Sequence, residues 1–270
     1  MKKTIALILL AVICVFALTG CTVLGTRYTY DHAGKYTAGG TKISQEVRNL
    51  DISWIDGNVE FRYHGESSVE LSETSEKRMS ADTELRWWLD GDTLRIQYCR
   101  AGKRLMGGLG KTLTVTLPEE IRLEEVVVKG LSCNLSMPSV NIKKAVLQIV
   151  SGDITVDGRV GNLRVDTVSG NVSYRASSPG PVKIVTVSGD VSCAVDGKPD
   201  LKIDTVTGFV GVSVQEGSGY TVKFSSVSGQ METVKEHRLG EDGKALIWGD
   251  GSGVIDIVTV SGGARLDQHN

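Results

Sequence analysis

Apolar and polar residues alternate along much of the chain, and the alternation recurs in short units. In residues 162–174, NLRVDTVSGNVSY, Leu163 and Val165 alternate with polar neighbours, and Val172 and Tyr174 do so after the glycine. A period of two is typical of half-buried β-strands. The parity changes across the intervening VSGN, so the chain has to bend there. Glycine supplies the backbone angles that such a bend needs, and Asn or Asp tolerates them next best.

The same unit repeats through the second half of the chain. A glycine preceded by Val-Ser or Val-Thr recurs at spacings of 18, 19, 19, 21 and 33 residues, at Gly152, Gly170, Gly189, Gly208, Gly229 and Gly262. Two fainter copies lie upstream, with Gly57 and Cys133 in the glycine position. We therefore expect one structural unit per copy, with a structural turn glycine at its bend.

Two architectures fit such a unit. Ser-Gly-Asp between two strands suits a tight hairpin, as in a β-sandwich. It also suits the corner of one coil in a β-solenoid, and a nearly fixed period favours this second form because a coil confines insertions to its loops. Coils stacked about 4.8 Å apart would place like residues in ladders. We predict an all-β fold, a β-helix-like solenoid of roughly 19-residue coils with an N-terminal flanking β-region.

Two stretches depart from the period. Residues 65–125 contain RWWLDGDTLRIQYC, a strand–turn–strand pattern, and KTLTVTLP, an alternating strand that ends at Pro118. These patterns predict a cap or flanking sheet. The long insertion at 230–253 predicts a protruding hairpin.

Composition and charge narrow the function classes. The chain has 270 residues with 40% hydrophobic content, enough for a sizeable core. Its net charge of -2 provides no strong basic field for nucleic acid. The four histidines are scattered instead of grouped at metal-ligand spacings, at His32, His64, His237 and His269. We expect no metal, no cofactor and no nucleic-acid partner.

The first 21 residues have the pattern of a secretory signal. Lys2 and Lys3 precede an unbroken apolar run at 5–17, which is too short for a spanning helix. Leu18-Thr19-Gly20-Cys21 then resembles the bacterial lipobox, in which the cysteine is lipidated and becomes the mature N-terminus. Two or three acyl chains on one residue provide a stable anchor. We expect a protein held by lipid on the extracytoplasmic side of a bacterial membrane.

This interpretation divides the chain into a signal peptide at 1–20, a tether at 21–40 and a β-repeat domain at 41–270. Three further cysteines remain in the mature chain, at Cys99, Cys133 and Cys193. An odd number cannot all pair, so a disulfide framework is not expected. Small buried apolar residues are the expected role, and a bridge between Cys133 and Cys193 stays open.

An ordered set of segments carries a family resemblance. The segments are YTAGGTKIS at 36–44, LDISWIDGNVEF at 50–61, LRIQY at 94–98, LTVTLP at 113–118, the VSGD-type repeats and GDGSGVIDIVTVSG at 249–262. Together they resemble the DUF4097 family of bacterial β-strand repeat proteins, also named putative adhesins. The resemblance implies a surface or envelope-associated solenoid-like domain, linked in some relatives to adhesion or envelope stress. It supplies no catalytic residues.

A glycine-rich loop is the first of several candidate sites. MGGLGKT at 106–112 lacks the first glycine of a phosphate loop, since Leu105 stands there, and a strand follows it where a helix is needed. We therefore expect a flexible hairpin loop. The loop region is also the most basic stretch of the chain and offers a contact for anionic headgroups or wall polymers through Arg100, Lys103, Arg104 and Lys111.

Recurrent acids and paired tryptophans are further candidates. Asp153, Asn171 and Asp190 recur at the bend, which suggests calcium, but Phe209, Gln230 and Gly263 fill the same position in other copies, so turn chemistry is favoured. Trp87 and Trp88 are adjacent, so one ring faces inward and the other outward. We expect them to pack in the cap, and the outward ring offers a platform for sugar or lipid.

Catalysis has little support in the sequence. Asp166 and Asp204 fall in equivalent exterior positions two coils apart, about 9–10 Å by stacking, a separation seen in inverting glycosidases. Solvated positions would lack the burial that raises an acid's pKa. The sequence does not indicate a Ser/His/Asp or Cys/His arrangement for nucleophilic catalysis either.

We expect a non-enzymatic lipoprotein that presents a binding or scaffold surface to an envelope polymer or protein. The alternatives are a carbohydrate-active enzyme and a sensor of cationic envelope-active peptides.

Overall fold

The described strands form one continuous hydrogen-bonded sheet of 21 strands, which folds into two facing layers, here called the two sheets, around an apolar core, as a computed structural model shows. The structure describes residues 27–104, 108–177, 180–233, 237–240 and 245–269. The predicted signal peptide and Cys21 lie outside them. Within these ranges no helix is long and apolar enough to cross a membrane. The expected all-β class is confirmed.

The N-terminal region combines short edge strands with longer ones that join the stack. A 3-10 helix at Ala33–Lys35 precedes β1 (Thr37–Ala38), β2 (Thr41–Ile43), β3 (Asn49–His64), β4 (Val69–Ser75), β5 (Arg86–Asp90), β6 (Thr93–Gln97) and β7 (Lys111–Pro118). β5 and β6 form the expected hairpin, in which Asp90 pairs with Thr93. β1 and β4 add antiparallel strands at this end of the two sheets.

Each regular coil consists of two short strands joined at the repeated glycine. We call the strand before the glycine the first arm, the strand after it the second arm, and the bend between them the Gly corner. The stacked first arms make up the first sheet, and the stacked second arms make up the second sheet. The coils stack in parallel and in register, so that Val165 pairs with Ile184 and Tyr174 with Cys193. The strands are β8 (Leu123–Ser151), β9 (Ile154–Val160), β10 (Leu163–Ser169), β11 (Val172–Ala176), β12 (Val182–Thr186), β13 (Val191–Val195), β14 (Asp200–Thr205) and β15 (Val210–Gln215). This arrangement confirms the β-solenoid.

The C-terminal strands complete the stack out of sequence order. They are β16 (Tyr220–Ser225), β17 (Met231–Thr233), β18 (Arg238–Leu239), β19 (Ala245–Trp248), β20 (Gly253–Val258) and β21 (Ala264–His269). β20 and β21 lie between β14/β15 on one side and β16/β17 on the other. The other end is built in the same manner, because β3 lies between β6/β7 and β8. At each end, therefore, the coil nearest the chain terminus is covered on both sides.

The described part of the insertion at 230–253 forms the expected hairpin, and its second strand packs on the stack. β18 pairs with β19, and β19 pairs antiparallel with β16, which extends the first sheet. The Trp248 ring stacks on Tyr220 with centroids 5.0 Å apart. The physical reason is that β16 would otherwise leave the backbone groups of a sheet edge unpaired.

The core lies between the two sheets and is built from the inward positions of both arms. In β10 and β11 these positions include Leu163, Val165, Val172 and Tyr174, all of which are buried. Each coil buries its neighbours' apolar faces as well as its own, so stability accumulates along the stack.

The three cysteines of the described chain are buried free thiols, at Cys99, Cys133 and Cys193. Burial raises the pKa of Cys99 to about 11 and the pKa of each of the other two to about 12. They act as small apolar core residues. The bridge that the sequence left open between Cys133 and Cys193 is not formed.

The turn glycines lie at the Gly corner and come in two kinds. The φ angles are left-handed, between 93° and 126°, at Gly57, Gly152, Gly170, Gly189 and Gly208. Gly229 and Gly262 lack this left-handed φ, contrary to the unusual backbone angles expected for them. A Cβ at either of these two would overlap the carbonyl oxygen of the neighbouring corner, so close approach excludes a side chain there.

Asn and Asp side chains bridge successive Gly corners. Asp153 Oδ1 accepts the N–H of Asn171 at 2.8 Å, Asn171 Oδ1 accepts the N–H of Asp190 at 3.0 Å, and Asp190 Oδ1 accepts the N–H of Phe209 at 2.8 Å. Because amides alternate with carboxylates, negative charges are two coils apart. These oxygens accept hydrogen bonds from backbone N–H groups and so stabilise the turns.

Candidate binding site

The outer face of the first sheet carries a polar floor at its N-terminal end. In the register of β6, β3 and β8, Asp51 lies beside Arg95, and Ser53 lies between Gln97 and Lys129. Neighbouring strands are about 4.8 Å apart and alternate residues face the same side, so these side chains form two adjacent rows. The rows rest on hydrogen-bonded strands, which hold them in fixed positions.

An aromatic wall rises over this floor from β5 and from the segment before β1. The Tyr30 ring lies edge-on to Tyr28 at 5.5 Å and to Tyr36 at 4.9 Å, and Tyr36 lies edge-on to Trp88 at 5.7 Å. Tyr28 is only 3% exposed, and its hydroxyl donates to Gln97 Oε1 at 2.6 Å. This segment, which the sequence placed in the tether, is therefore fastened to the floor.

Floor and wall enclose a cleft of about 540 Å³, which we call the aromatic cleft. The volume lies within the range of small-molecule sites in proteins. One side of the aromatic cleft offers ring faces and edges, and the other offers the polar groups of Ser53, Gln97 and Lys129. A ligand with both a flat apolar face and several hydroxyl groups matches such a lining.

The charges in the aromatic cleft are mostly paired. Arg95 Nη1 lies 2.7 Å from Asp51 Oδ2, and Arg95 Nε lies 3.2 Å from Asp90 Oδ2. Lys35 Nζ lies 4.5 Å from the Trp88 ring centroid, a cation–π contact. Lys129, by contrast, forms no ion pair with any described residue, and its ammonium is available to a ligand.

The tyrosines of the wall keep their protons. Burial raises the pKa of Tyr30 and the pKa of Tyr36 above their usual value of 10.0. Both hydroxyls therefore remain hydrogen-bond donors at neutral pH.

A buried ion pair supports the floor from below. Lys111 was expected in an exposed basic loop, but it is fully buried, with Nζ 2.6 Å from Glu73 Oε2. Nζ also donates to the carbonyl oxygens of Thr83 and Tyr98, and it lies 4.9 Å from the ring centroid of Trp54. Burial lowers the Lys111 pKa. The strand alternation of KTLTVTLP points Lys111 inward, which explains why the expectation of exposure was wrong.

Comparison with protein families identifies the chain. The Toastrack DUF4097 model matches residues 47–194 and 157–266. The chain belongs to the Toastrack DUF4097 family. The two matches overlap within the regular coils, as a repeat allows, and together they include the floor of the aromatic cleft.

Several solved structures are similar to this DUF4097 chain. A putative adhesin from Bacteroides fragilis is 12% identical, with a TM-score of 0.47 and coverage of 86% of this chain and 97% of that one. A putative cell adhesion protein from Clostridium sporogenes is 11% identical, with a TM-score of 0.40 and coverage of 86% and 100%. A putative adhesin from Parabacteroides distasonis is 14% identical, with a TM-score of 0.40 and coverage of 86% and 98%. No curated protein matches the chain.

The paired tryptophans of this DUF4097 chain do face opposite sides. Trp87 pairs with Ile96 and packs against the core, whereas Trp88 pairs with Arg95 and lines the aromatic cleft. Sequence reasoning missed the wall tyrosines and Lys129. The available signal was the spacing of tyrosines in YTYDHAGKY, which is unusually aromatic for a tether.

The two acids considered for catalysis do not form a solvated pair. Both pair in register with Val185, as expected for positions two coils apart. Asp166, however, is only 1% exposed, and both of its oxygens accept hydrogen bonds from Arg164, at 2.7 and 2.9 Å. The expectation of a solvated Asp166 was wrong because the Arg164 side chain folds over it. Burial raises the pKa of Asp204.

The fold assembles one Ser–His–Asp line that the sequence did not reveal, because its members lie on different coils. Ser213 Oγ is 2.9 Å from His269 Nδ1, and His269 Nε2 is 2.8 Å from Asp196 Oδ1. In a hydrolytic triad the acid is buried and holds the imidazole in one orientation. Here the side chains of His269 and Asp196 are 33% and 40% exposed. This line therefore differs from a hydrolytic triad in that water reaches its acid and its imidazole.

Proposed function

We propose that this DUF4097 protein is an extracytoplasmic lipoprotein, held at the membrane through acylated Cys21, that binds an envelope saccharide in the aromatic cleft. Attachment to a surface or polymer is the broader role, in line with the adhesion that the family resemblance implies. We include in this proposal a role of the protein in the response to envelope stress. The observation that carries the binding role is the aromatic cleft itself.

The lipid anchor is supported by the order of charged, apolar and lipobox residues before Cys21. The substitution Cys21→Ala should block acylation and leave the precursor unprocessed. Incorporation of a fatty-acid analogue in growing cells measures this directly. Equal incorporation in the parent and the variant would overturn the anchor.

A saccharide fits the aromatic cleft better than an apolar ligand. Ring faces such as Trp88 pack against the C–H faces of a sugar, while sugar hydroxyls pair with Ser53, Gln97 and Lys129. A purely apolar ligand would strip water from these polar groups without replacing their hydrogen bonds, at a cost of about 1–3 kcal/mol for each. Size agrees as well, since a cleft of about 540 Å³ is large enough for a short oligosaccharide.

The saccharide proposal is tested with peptidoglycan disaccharides and with soluble wall polymers. Calorimetric titration should show binding by the mature chain and a loss of about 30-fold in Trp88→Ala, as for a central aromatic contact. Phe209→Ala is the matched control, because Phe209 is an aromatic residue, 43% exposed, outside the aromatic cleft. Loss of equal size in both variants, or no binding to any of these polymers, would overturn the proposal.

We also propose that the protein binds its saccharide without turnover. Asp166 is clamped by Arg164, and the Ser213 line is open to water. Incubation with the same polymers should release no product by mass spectrometry. A fluorophosphonate should label the parent no more than Ser213→Ala. Product formation that a single acidic or serine substitution abolishes would promote the enzyme alternative.

A sensor of cationic peptides is less well supported. A groove of about 770 Å³ at the far side of the N-terminal coils is rich in glutamate. Three of its carboxylates already have cationic partners, because Glu46 pairs with Arg48, Glu66 with Lys42 and Glu124 with Lys143. A cationic ligand would have to replace these intramolecular pairs.

A further inference from the structure

The first described residue lies in a cluster of basic side chains. Arg27 forms an antiparallel bridge with Arg104. The next residue, Tyr28, donates its N–H to Lys103 O at 2.9 Å and accepts the N–H of Gly102 at 2.7 Å. These bonds hold the first described residues, which follow the predicted lipid anchor closely in sequence, on the folded domain.

Positive charge dominates this part of the surface. We call the cluster the basic patch, and it consists of Arg27, Arg100, Lys103 and Arg104, which line a shallow cleft. Asp82 is the carboxylate that lines the same cleft, 2.9 Å from Arg100 and 3.9 Å from Lys103. Four cations and one anion leave a formal charge of +3. Arg27 and Arg104 have no ion-pair partner among the described residues.

We propose that the basic patch lies against the anionic headgroups of the membrane that carries the lipid anchor. The inference rests on the proposed lipidation of Cys21. Arg27 follows Cys21 by six residues, which span at most about 20 Å when fully extended. The anchored patch therefore stays close to the headgroups, where an anionic surface attracts basic side chains within a Debye length of about 10 Å.

The charge on the opposite side of the same coil supports this orientation. β7 begins beside the basic patch and ends at Pro118, and exposed Glu119 and Glu120 follow. Eight residues of strand separate the two sides by about 25 Å. An anionic membrane repels the glutamates and attracts the basic patch. The lipid therefore holds the protein at the membrane, and the basic patch determines which side of the protein faces the membrane.

Vesicle sedimentation tests the patch apart from the lipid. The mature chain from residue 22 keeps each described contact, because these begin at Arg27, and its melting transition checks the fold. Each basic residue contributes about fivefold to partition on an anionic surface. We expect about 100-fold stronger partition to mixed phosphatidylcholine–phosphatidylglycerol vesicles than to phosphatidylcholine alone, decreasing as salt is added.

Substitutions then locate the contact. Arg27→Gln with Arg104→Gln should lower partition to the mixed vesicles about 25-fold. The control Arg159→Gln with Lys198→Gln removes the same charge from exposed residues elsewhere on the stack and should change partition less than about twofold. Equal losses in the two variants, equal partition to both kinds of vesicle, or retention by soluble teichoic acid but not by vesicles would overturn the proposal. None of these outcomes bears on acylation of Cys21, which the fatty-acid label reports independently.

Discussion

The regular coils and the N-terminal end of the stack share one backbone plan but differ in what their side chains contact. In the regular coils, hydroxyls near the Gly corner bond to backbone, as when Thr186 Oγ1 donates to Ser188 O at 3.2 Å. Near the N-terminal end the large Trp54 ring packs edge-on to Tyr98, with centroids 5.0 Å apart. Lys111 pairs with Gly57 and so occupies the glycine position of the outermost coil.

This contrast separates two uses of the same coil. Small hydroxyl and amide side chains bond to backbone groups of their own coil or of the next one, so further coils can stack on them, but they leave a uniform surface. Large aromatic and charged residues interrupt the repeat, and the aromatic cleft and the basic patch lie where they do so. We therefore expect substitutions in the two regions to lower the stability of the protein for different physical reasons.

The largest effect is expected at the buried ion pair. Lys111→Met leaves Glu73 as an uncompensated buried charge and should lower the free energy of unfolding by about 3–5 kcal/mol. Urea denaturation measures this. A loss below about 1 kcal/mol would show that Glu73 is easily neutralised or hydrated.

A double variant isolates the charge. Glu73→Gln keeps the Oε1 atom that accepts the Leu85 N–H at 2.7 Å, and it removes the negative charge. Lys111→Met with Glu73→Gln should therefore be about 2 kcal/mol more stable than Lys111→Met alone. Equal stability of the two variants would show that the loss of stability comes from the carbonyl groups of Thr83 and Tyr98, which lose their hydrogen bonds from Lys111.

In the regular coils the largest effect is expected at a Gly corner. At Gly189 φ is 121°, and a Cβ would overlap the carbonyl oxygen of Gly170. Gly189→Ala should cost about 3 kcal/mol, the sum of left-handed strain and a backbone overlap. Gly197 is the control, because its φ is 74° but a Cβ there would meet nothing within 4 Å. Gly197→Ala should cost about 1 kcal/mol, and an equal cost at both sites would show that overlap is unimportant.

The repeat made the fold of the regular coils predictable, because its period, parity change and glycine all express local backbone needs. The stacking order at the ends was not predictable in the same manner. β20 inserts between β14 and β16 through pairings between residues far apart in sequence, and strand alternation is the same in any order of coils. The docking of β19 on β16 follows from an open sheet edge, which exists only once the stack is formed.

The candidate site was less predictable than the fold. The alternation of Trp87 and Trp88 correctly implied one inward and one outward ring. Tyr36, which contacts the outward ring of Trp88, belongs to a segment that resembles a tether in composition. The contacts of Tyr36 arise only when β1 pairs with β5. Burial of Asp166 was equally hidden, because it depends on the Arg164 side chain and not on strand parity.

A moderate effect is expected where the turn amides alternate with carboxylates. Asn171→Asp keeps an oxygen for the Asp190 N–H but places three carboxylates on successive corners, with Asp153 on the other side. Repulsion between neighbours about 4.8 Å apart should cost about 1 kcal/mol at low salt and less at high salt. Thermal melting across a salt series measures this. A loss that salt does not change would indicate an altered hydrogen bond.

The smallest effect concerns two acids in equivalent positions of the regular coils. Asp166 has a bidentate partner in Arg164, whereas Asp204 has Lys202 two residues before it. An ammonium cannot form the planar fork of a guanidinium, and Lys202 instead lies 3.8 Å from Asp256. Burial therefore raises the Asp204 pKa above its usual 3.8 despite the nearby lysines.

The raised Asp204 pKa fixes the sign of a pH dependence. The folded state binds the Asp204 proton more tightly than the unfolded state, so this group's contribution to stability falls as the pH rises from 3.8 through the folded pKa. At neutral pH the ionised form of Asp204 lowers the free energy of unfolding slightly, by under about 1 kcal/mol because the side chain is partly solvated.

Asp204→Asn should remove this penalty and flatten the profile of stability against pH above pH 3.8, whereas Asp200→Asn, at an exposed position, should not. Lys202→Arg should approach the same result by supplying the fork that Arg164 gives Asp166. Denaturant unfolding at a series of pH values measures all three, and a profile unchanged by Asp204→Asn would show that this carboxylate is as well solvated in the folded protein as in the unfolded chain.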